Sequence, residues 1–349
     1  MGGRLTKVTT GAVAVMAAGA LVTAAIASSD RATTRAGATA NYRIGLVLPD
    51  LSNLYIAGIR DGAQAEAKKV GATILVKGTN DAAGQANALQ SYVGAKVNAI
   101  VVDAIDGHAI VPAIEAANKA NIPVIAIQSN VYGGKTATFI AGREDHAGDV
   151  MGQDAVSWCK NINPCQIGVV EGILADQSGA TENKAFRATV AKHSNIKIVG
   201  GAETQYDPEK ALTVASDLLT AHPGLNYIYA WWDPGGAAAV KAIQAAGKLG
   251  KVGVASQNGD CIELGLVIKG SASVTAAFFP SIIGGTGVDS AIKAIKGEKL
   301  PGYIEAPVLG VTTADANSWL AGKSSPPAAL KADIMKRLQE AKSGHCPTK

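Results

Sequence analysis

Carboxylate, amide and indole side chains recur at six places along the chain, each directly after a short apolar run. These segments are PDLSN at 49–53, DAID at 103–106, QSN at 128–130, Glu171, WWD at 231–233 and SQN at 256–258. Asparagine and glutamine donate and accept hydrogen bonds, as hydroxyl groups do, and an indole ring can cover an apolar C–H face. The residue types therefore predict a binding site for a small polyhydroxylated molecule.

Paired carboxylates leave a catalytic alternative, because two such groups in one pocket can hydrolyse a glycosidic bond. The possible pairs are Asp103 with Asp106 and Glu171 with Asp233. The chain has no dinucleotide-binding glycine motif after a strand, no phosphate loop, no GxSxG and no HExxH. The five histidines are scattered, at positions 108, 146, 193, 222 and 345. We predict a binding protein without a metal or other cofactor, with a secreted carbohydrate-active enzyme as the alternative.

Alternating apolar strand-like and helical runs must position these side chains. The predicted strands are 44–48, 73–77, 99–102, 123–127, 166–170, 196–200, 227–230, 251–255 and 274–277. Segments with apolar residues at helical spacing lie between them, which indicates parallel sheets covered by helices on both faces. The pattern restarts near Gln166, so we predict an α/β fold with two doubly wound sheets. Ligands of such sheets bind beyond the carboxyl ends of the strands, where the polar segments lie.

Length and charge narrow the functional classes. The 349 residues suit two lobes of ordinary size. The formal net charge is +4, but residues 1–40 contain four of the basic side chains and one acidic side chain. The remainder has 28 basic and 27 acidic residues, a net charge of +1. Because no basic stripe remains, nucleic acid is not predicted as a partner.

The N-terminal segment predicts export. Arg4 and Lys7 precede an apolar run at 8–27 that ends in Ala-Ile-Ala, the pattern of a secretory signal peptide. We assign residues 1–27 to this peptide, with cleavage after Ala27 or Ala40, and an uncleaved membrane anchor as the alternative. No cysteine follows the run, so no lipid anchor is predicted there. The expected location is periplasmic or at the cell surface.

The four cysteines agree with an oxidising compartment. Four cysteines allow three pairings, and local closure favours Cys159 with Cys165, which leaves Cys261 with Cys346. A metal site is the rival interpretation, but the pairs lack CxxC spacing. We therefore predict two disulfide bonds.

Several ordered motifs resemble the ribose-binding type of periplasmic sugar-binding proteins. They are IGLVL at 44–48 followed by Asn53 and Tyr55, DGAQAEA at 61–67, ANKANIPVI at 117–125, LLTAHP at 218–223, AIQAAGK at 242–248 and KGE at 296–298. The resemblance covers residues 42–312. It implies two similar lobes joined by a three-strand hinge, with crossovers near Gly142, Phe278 and Ala306 and the ligand enclosed between the lobes.

The resemblance also implies domain bounds. The N-terminal lobe would comprise residues 42–142 and 279–306, and the C-terminal lobe residues 143–278 and 307–325. A tail at 326–349 would carry a surface helix at 328–341. Related repressors share the two lobes but begin with a DNA-reading helix-turn-helix, and here the predicted signal peptide stands in that place.

The family pocket maps onto Asn53, Tyr55, Gln128 and Ser129, and across the hinge onto Glu182, Trp232, Asn258 and Phe278. Asp103 and Asp233 at neighbouring strand ends complete the predicted set. The ribose-type pattern has arginines where this chain has Ser129 and Glu182, and an asparagine where it has Trp232. Arg143, beside the first crossover, is the residue that could supply one arginine. These departures put ribose itself in doubt.

The expected function is the extracytoplasmic solute-binding component of an ABC-type carbohydrate importer, working as a monomer with a membrane permease. The expected ligand is a small neutral sugar or polyol, in particular an acyclic polyol of four to six carbons. The alternative among binding proteins is a sensor that delivers its ligand to a membrane receptor.

Overall fold

The computed structural model describes residues 41–174 and 176–347, so the predicted signal peptide lies outside the described residues. The strands are β1 Arg43–Leu48, β2 Thr73–Gly78, β3 Ala99–Val102, β4 Val124–Ile127, β5 Thr138–Gly142, β6 Cys165–Glu171, β7 Ile196–Glu203, β8 Leu225–Ala230, β9 Gly253–Asn258, β10 Val274–Phe278, β11 Tyr303–Ala306 and β12 Val308–Thr312. The helices are α1 Leu54–Val70, α2 Ala82–Gly94, α3 Val111–Lys119, α4 Glu144–Trp158, α5 Gln177–Val190, α6 Pro208–Ala221, α7 Asp233–Ala245, α8 Cys261–Ile268, α9 Pro280–Ile295, α10 Thr313–Leu320 and α11 Lys331–Ser343.

The strands form two six-stranded sheets. The first has the order β11-β5-β4-β3-β1-β2 and the second the order β12-β10-β9-β8-β6-β7. All neighbours are parallel except β10 and β12, which pair antiparallel. The prediction of two α/β units with largely parallel sheets is confirmed. None of the helices in the described ranges has the length and hydrophobicity needed to cross a bilayer.

Apolar burial on both faces explains the central strands. Every residue of β3 (AIVV) and β4 (VIAI) is buried, as expected for parallel strands covered by helices on both sides. Helices α1 and α9 pack on each other over one face of the first sheet, while α2 and α3 bury alanine, leucine and isoleucine against the other. The carboxyl ends of these strands therefore meet at one edge, where ligand-binding loops can lie together.

The chain passes between the two sheets three times, after β5, after β10 and between β11 and β12. The three passages come together at Gly142, Phe278 and Val308. A side chain on Gly142 would place its Cβ 2.4 Å from Cε1 of Phe278 and 3.3 Å from Val308. Glycine at position 142 is thus required by the close approach of the Phe278 ring.

The sequence pattern missed five elements, namely the strands β5, β11 and β12 and the helices α8 and α10. Strands β11 (YIEA) and β12 (VLGVT) are short, only partly buried and separated by a single proline, so neither shows a clear period. Their assignment depends on pairing with β5 and β10, which are distant in sequence. Local periodicity carries no information about such pairing.

Both predicted disulfide bonds are confirmed. Cys159 pairs with Cys165, and Cys261 pairs with Cys346 across 85 positions of sequence. The second bond joins the end of the chain to α8. Helix α11 packs on α8 and buries Ile334, Leu338 and Ala341.

Candidate ligand-binding cleft

A cavity of about 580 Å³ lies between the strand ends of the first sheet and the first turns of α4 and α5, which belong to the second. Its lining from the first sheet includes residues 104–108, 128–130, Tyr132, Phe139 and Tyr303, and its lining from the second includes Glu144, Asp176, Gln177, Ser178 and Thr181. Among the lining residues there is no lysine and no arginine, whereas Asp106, Glu144 and Asp176 are acidic. The cavity therefore offers hydrogen-bonding groups without a fixed positive charge.

Tyr55 and Gln128 bring the first predicted loop to the edge of this cavity. Asn53 caps helix α1 by accepting hydrogen bonds from the backbone N–H groups of Tyr55 and Ile56, at 2.8 and 3.4 Å. The Tyr55 hydroxyl then donates to Oε1 of Gln128 at 2.9 Å. Gln128 lines the cavity and has a φ of 56°, an uncommon backbone conformation for a residue with a side chain.

Asp103 directly follows strand β3 and is only 2 % exposed. Burial raises its pKa to about 7, although hydrogen bonds from Ser129 favour the charged form. Gln85, which was not among the predicted site residues, is fully buried and holds the loop at 103–105 in place. Its Nε2 donates to the Asp103 carbonyl at 2.7 Å, and its Oε1 accepts from the Ile105 N–H at 2.8 Å. The sequence signal for this role of Gln85 is a polar residue on the buried side of a predicted helix.

On the opposite side, Glu182 and Glu144 lie near each other with incompletely bonded carboxyl groups. Glu182 is fully buried, and its Oε1 accepts a hydrogen bond from the Tyr229 hydroxyl at 2.5 Å. Oε2 of Glu182 and Oε2 of Glu144 are buried atoms with no hydrogen-bond partner among the described residues. Burial raises the pKa of Glu144 to about 7, and burial and then the Glu144 charge raise the pKa of Glu182 well above its usual range.

Trp232 contacts the same region through Tyr206. The Tyr206 ring packs edge-on against Trp232 with ring centres 5.3 Å apart, and its hydroxyl donates to Asp176 at the start of α5. Trp232 is 7 % exposed and Trp231 is 1 % exposed. The Trp231 ring packs so closely on Gly179 that a Cβ there would lie 2.4 Å away. Trp231 thus belongs to the core, and Trp232 keeps the greater exposure of the two.

Asp233 is positioned by three protein donors. Its Oδ1 accepts from the hydroxyls of Ser256 and Thr275 at 2.6 and 2.9 Å, and its Oδ2 accepts from the Asp260 N–H at 2.5 Å. The side chain is 1 % exposed, and burial raises its pKa well above the usual range. These contacts give Asp233 a role in joining β9, β10 and the start of α8.

Arg143 does not line the cavity. Its guanidinium forms a two-pronged ion pair with Asp145, with Nε donating to Oδ1 at 2.9 Å, and the side chain is half exposed. Arg143, the predicted replacement for the missing family arginines, is therefore engaged at the surface.

Asn258 and Phe278 end the neighbouring strands β9 and β10. Asn258 has a φ of 126°, so it resembles Gln128 in having a positive φ, which is uncommon outside glycine. Phe278 is 2 % exposed and lies at the hinge described above. Neither residue lines the 580 Å³ cavity, nor do Asn53 and Trp232. Of the predicted pocket residues, only Gln128 and Ser129 are among the described residues that line this cavity.

Comparison with known proteins agrees with this architecture. Residues 44–299 match the family model described as "periplasmic binding protein domain". The ribose import binding protein RbsB of Escherichia coli strain K12 is 31 % identical over 274 residues, covering 77 % of this chain and 90 % of that protein. Its Bacillus subtilis strain 168 counterpart is 26 % identical, covering 79 % and 88 %.

Two solved structures are also similar. An ABC transporter solute-binding protein from Mycobacterium smegmatis with bound glycerol has a TM-score of 0.72 at 25 % identity, covering 79 % of this chain and 96 % of that one. A periplasmic ribose ABC transporter protein from Conexibacter woesei has a TM-score of 0.76 at 21 % identity, covering 87 % and 99 %, which supports the fold alone. The family is extracytoplasmic and consists of solute-binding proteins, not enzymes. From its two α/β units, its three crossovers and these matches, the chain belongs to the ribose-binding type of periplasmic sugar-binding proteins.

Proposed function

We propose that this protein is the solute-binding component of an ABC-type importer and that it encloses a small neutral polyol or sugar between two lobes. The N-terminal lobe would comprise residues 42–142 and 279–306, and the C-terminal lobe residues 143–278 and 307–325. The protein would be exported by the signal peptide at 1–27 without a lipid anchor. A membrane permease would accept the ligand from the closed form, in which both lobes contact it.

The observation that carries this proposal is the chemistry of the cavity lining. Residues from both sheets contribute amides, hydroxyls and carboxyl groups, and none of the described residues that line the cavity is a lysine or an arginine. Phosphorylated sugars and organic acids would lack a cationic partner there and would bind poorly, because an unpaired buried charge is costly. A neutral ligand with several hydroxyl groups would instead satisfy donors and acceptors in turn.

We assign ligand contacts to residues at both sets of strand ends. They are Asn53, Tyr55, Asp103, Gln128, Glu182, Trp232, Asn258 and Phe278. Asp233 and Arg143 receive supporting roles, because their polar atoms are already bonded to Ser256, Thr275 and Asp260 or to Asp145.

Glu182 and Glu144 would replace the arginines as polar groups facing the ligand. A buried carboxyl without a cationic partner is stable in its neutral form and can then donate a hydrogen bond to a hydroxyl oxygen. The bulk of Trp232, where the family pattern has asparagine, would favour a small ligand. We therefore propose an acyclic polyol of four to six carbons as the preferred ligand. The E. coli relative is named for ribose and the M. smegmatis structure contains glycerol, so the family spans both ligand types.

A thermal-shift screen followed by isothermal titration calorimetry tests the proposal. The panel contains glycerol, erythritol, xylitol, mannitol, ribose, glucose and ribose 5-phosphate. We expect the largest shift with a four- to six-carbon polyol and none with ribose 5-phosphate. Tight binding of ribose or glucose with no response to any polyol would contradict the acyclic ligand but leave sugar binding in place. Tight binding of the phosphate ester alone would contradict the neutral ligand.

A further inference from the structure

The C-terminal helix α11 reaches the hinge from outside the family match. The match ends at residue 299, whereas α11 spans Lys331–Ser343. The helix buries Ile334 and Leu338 and is anchored through Cys346, whose disulfide partner Cys261 begins α8. This helix, hereafter the tail helix, points one charged side chain, Arg337, toward the ends of strands β9 and β10.

Arg337 donates hydrogen bonds to three separate places. Its Nε donates to Oδ1 of Asp333 at 2.6 Å, one turn earlier on the tail helix. One terminal nitrogen donates to the Gly259 carbonyl at 3.0 Å, and the other donates to the Phe278 carbonyl at 3.0 Å. The guanidinium also lies over the Phe279 ring, 4.8 Å from its centre. Only the planar fork of an arginine can make this combination of contacts.

The Gly259 carbonyl, and the Asn258 carbonyl that accepts from the same terminal nitrogen at 3.4 Å, belong to a turn that needs support. Asn258 and Gly259 have successive φ values of 126° and 72°, and such a conformation at a non-glycine residue is destabilising unless its surroundings fix it. Gly259 has little free space, since a Cβ there would lie 2.5 Å from the Ala277 Cβ and 3.1 Å from Arg337. Arg337 is therefore packed directly against the turn that carries Asn258.

The tail helix also contacts the far side of the crossover. Oδ2 of Asp333 accepts a hydrogen bond from the Ser281 hydroxyl at 2.8 Å. Ser281 lies in the first turn of α9, and its backbone packs closely against Gly62 of α1. A Cβ added to Gly62 would lie 1.9 Å from the Ser281 carbonyl oxygen. Through Asp333 and Arg337, the tail helix is bonded to both ends of the 278–281 crossover.

We propose that Arg337 is a positioning residue of the ligand site, which fixes Asn258 and Phe278 and restrains the second crossover of the hinge. This proposal rests on the proposed function only in treating Asn258 and Phe278 as ligand contacts. Arg337 itself touches their backbone carbonyls and acts on a ligand through them. The tail helix thereby sets the geometry of Asn258 and Phe278 at the ends of β9 and β10.

Hydrogen–deuterium exchange on the ligand-free, disulfide-intact protein tests the restraint. Arg337→Met removes the fork but keeps an unbranched chain, Arg337→Lys keeps the charge, and Lys336→Met is the matched control on an exposed neighbour. We expect exchange in Arg337→Met to be about tenfold faster in peptides covering 256–260 and 278–282, and unchanged in β1 and β3. Arg337→Lys should be intermediate and Lys336→Met should match the wild type.

A second variant tests the same proposal in case Arg337→Met folds poorly. Asp333→Asn weakens the contacts to Arg337 and Ser281 and should raise exchange mainly at 278–282. Exchange that is unchanged at both segments, or raised uniformly through the whole chain, would overturn the proposal, because the first shows no restraint and the second shows only a general loss of stability.

Titration with erythritol, xylitol, ribose and glycerol adds a functional readout. For each probe that binds the wild type, Arg337→Met should bind about tenfold more weakly and Lys336→Met equally well. Unchanged affinity in Arg337→Met would overturn the positioning role. Should none of the four probes bind the wild type, that result counts against the proposed function alone, and the exchange experiment decides the role of Arg337.

Discussion

The hydroxyl of Tyr55 donates a hydrogen bond to Oε1 of Gln128, 2.9 Å away, and so joins the first turn of α1 to the end of β4. Tyr55 also packs against the apolar clusters of both sheets. Because this bond uses the Gln128 amide oxygen, the amide nitrogen keeps its N–H donors, and Gln128 is one of the residues that line the cavity. One pair of side chains thus connects the two sheets and the cavity that lies between them.

Substitutions at four of the assigned contacts should weaken binding without unfolding the protein. We expect Asn53→Ala, Gln128→Ala, Trp232→Ala and Asn258→Ala each to reduce affinity about tenfold, which corresponds to about 1.4 kcal/mol. The reason is the loss of a hydrogen bond or a ring contact at a desolvated site. Calorimetry with the polyol or sugar identified by the thermal-shift screen measures the change. Gln244→Ala, at an exposed position on α7, is the control, and unchanged affinity for three of the four variants would contradict the assignment.

Tyr55→Phe isolates the contribution of the Tyr55–Gln128 bond. It removes one hydroxyl and keeps the ring, so we expect a stability loss of about 1 kcal/mol and weaker ligand binding through a less ordered Gln128 amide. Urea unfolding and calorimetry measure the two effects separately. Tyr42→Phe, outside the cavity lining, serves as the control, and an affinity equal to the wild type in Tyr55→Phe would show that Gln128 needs no such support.

Glu144 should make stability depend on pH. Burial raises its folded-state pKa to about 7 from an ordinary value of 4.5, while Ser178 favours the charged form and Asp176 and Asp145 oppose it. The folded protein holds this proton more tightly, so the contribution of Glu144 to stability is full below pH 4.5 and is lost as the pH rises to about 7. We expect Glu144→Gln to remove part of that slope, on the order of 1–3 kcal/mol between pH 5 and 8.

Urea unfolding of wild type and Glu144→Gln at pH 5 and pH 8 measures this difference. Other buried carboxyl groups, including Asp103 and Glu263, contribute slopes of the same sign, so only the difference between the two proteins reports on Glu144. Glu115→Gln is the control. Identical slopes in wild type and Glu144→Gln would show that the carboxyl is solvated or paired.

The two disulfide bonds should differ in their effect on stability. Loss of loop-closure entropy in the unfolded chain grows with loop length, with model values of about 3 kcal/mol for 15 residues and about 4.7 kcal/mol for 100. We therefore expect the Cys261→Ser/Cys346→Ser variant to lose more free energy of unfolding than Cys159→Ser/Cys165→Ser. Non-reducing peptide mapping verifies the pairing, and four free thiols or the reverse order of stability would contradict the expectation.

Gly142→Ala should disturb the hinge. The added Cβ would lie 2.4 Å from the Phe278 ring, so the ring or the crossover must shift, at a cost of about 1–3 kcal/mol. Thermal and urea unfolding measure the loss. Gly94→Ala is the matched control, because a Cβ at Gly94 meets nothing within 4 Å and its stability should be equal or slightly higher. Equal stability of both variants would mean that the crossover adapts without strain.

The sequence by itself determined the fold class, the two-sheet arrangement and the family. Most of the buried strands are short apolar runs and most of the covering helices have their own period, so these elements are readable from neighbouring residues. The disulfide pairing was also accessible, because Cys159 and Cys165 are close enough in sequence to pair and leave one choice for the others. Polar residues after strand ends located the general position of the site.

Only the tertiary structure decided how individual side chains are used. The sequence predicted Asp233 and Arg143 as ligand contacts. In the folded protein, the Asp233 carboxylate accepts hydrogen bonds from Ser256, Thr275 and Asp260. Arg143 forms an ion pair with Asp145. Gln85 and Arg337 gave no functional pattern, yet each fixes backbone at a strand end. The physical reason is that a hydrogen bond depends on distance and direction in space, and residues such as Phe278 and Arg337 become neighbours only when the chain has folded.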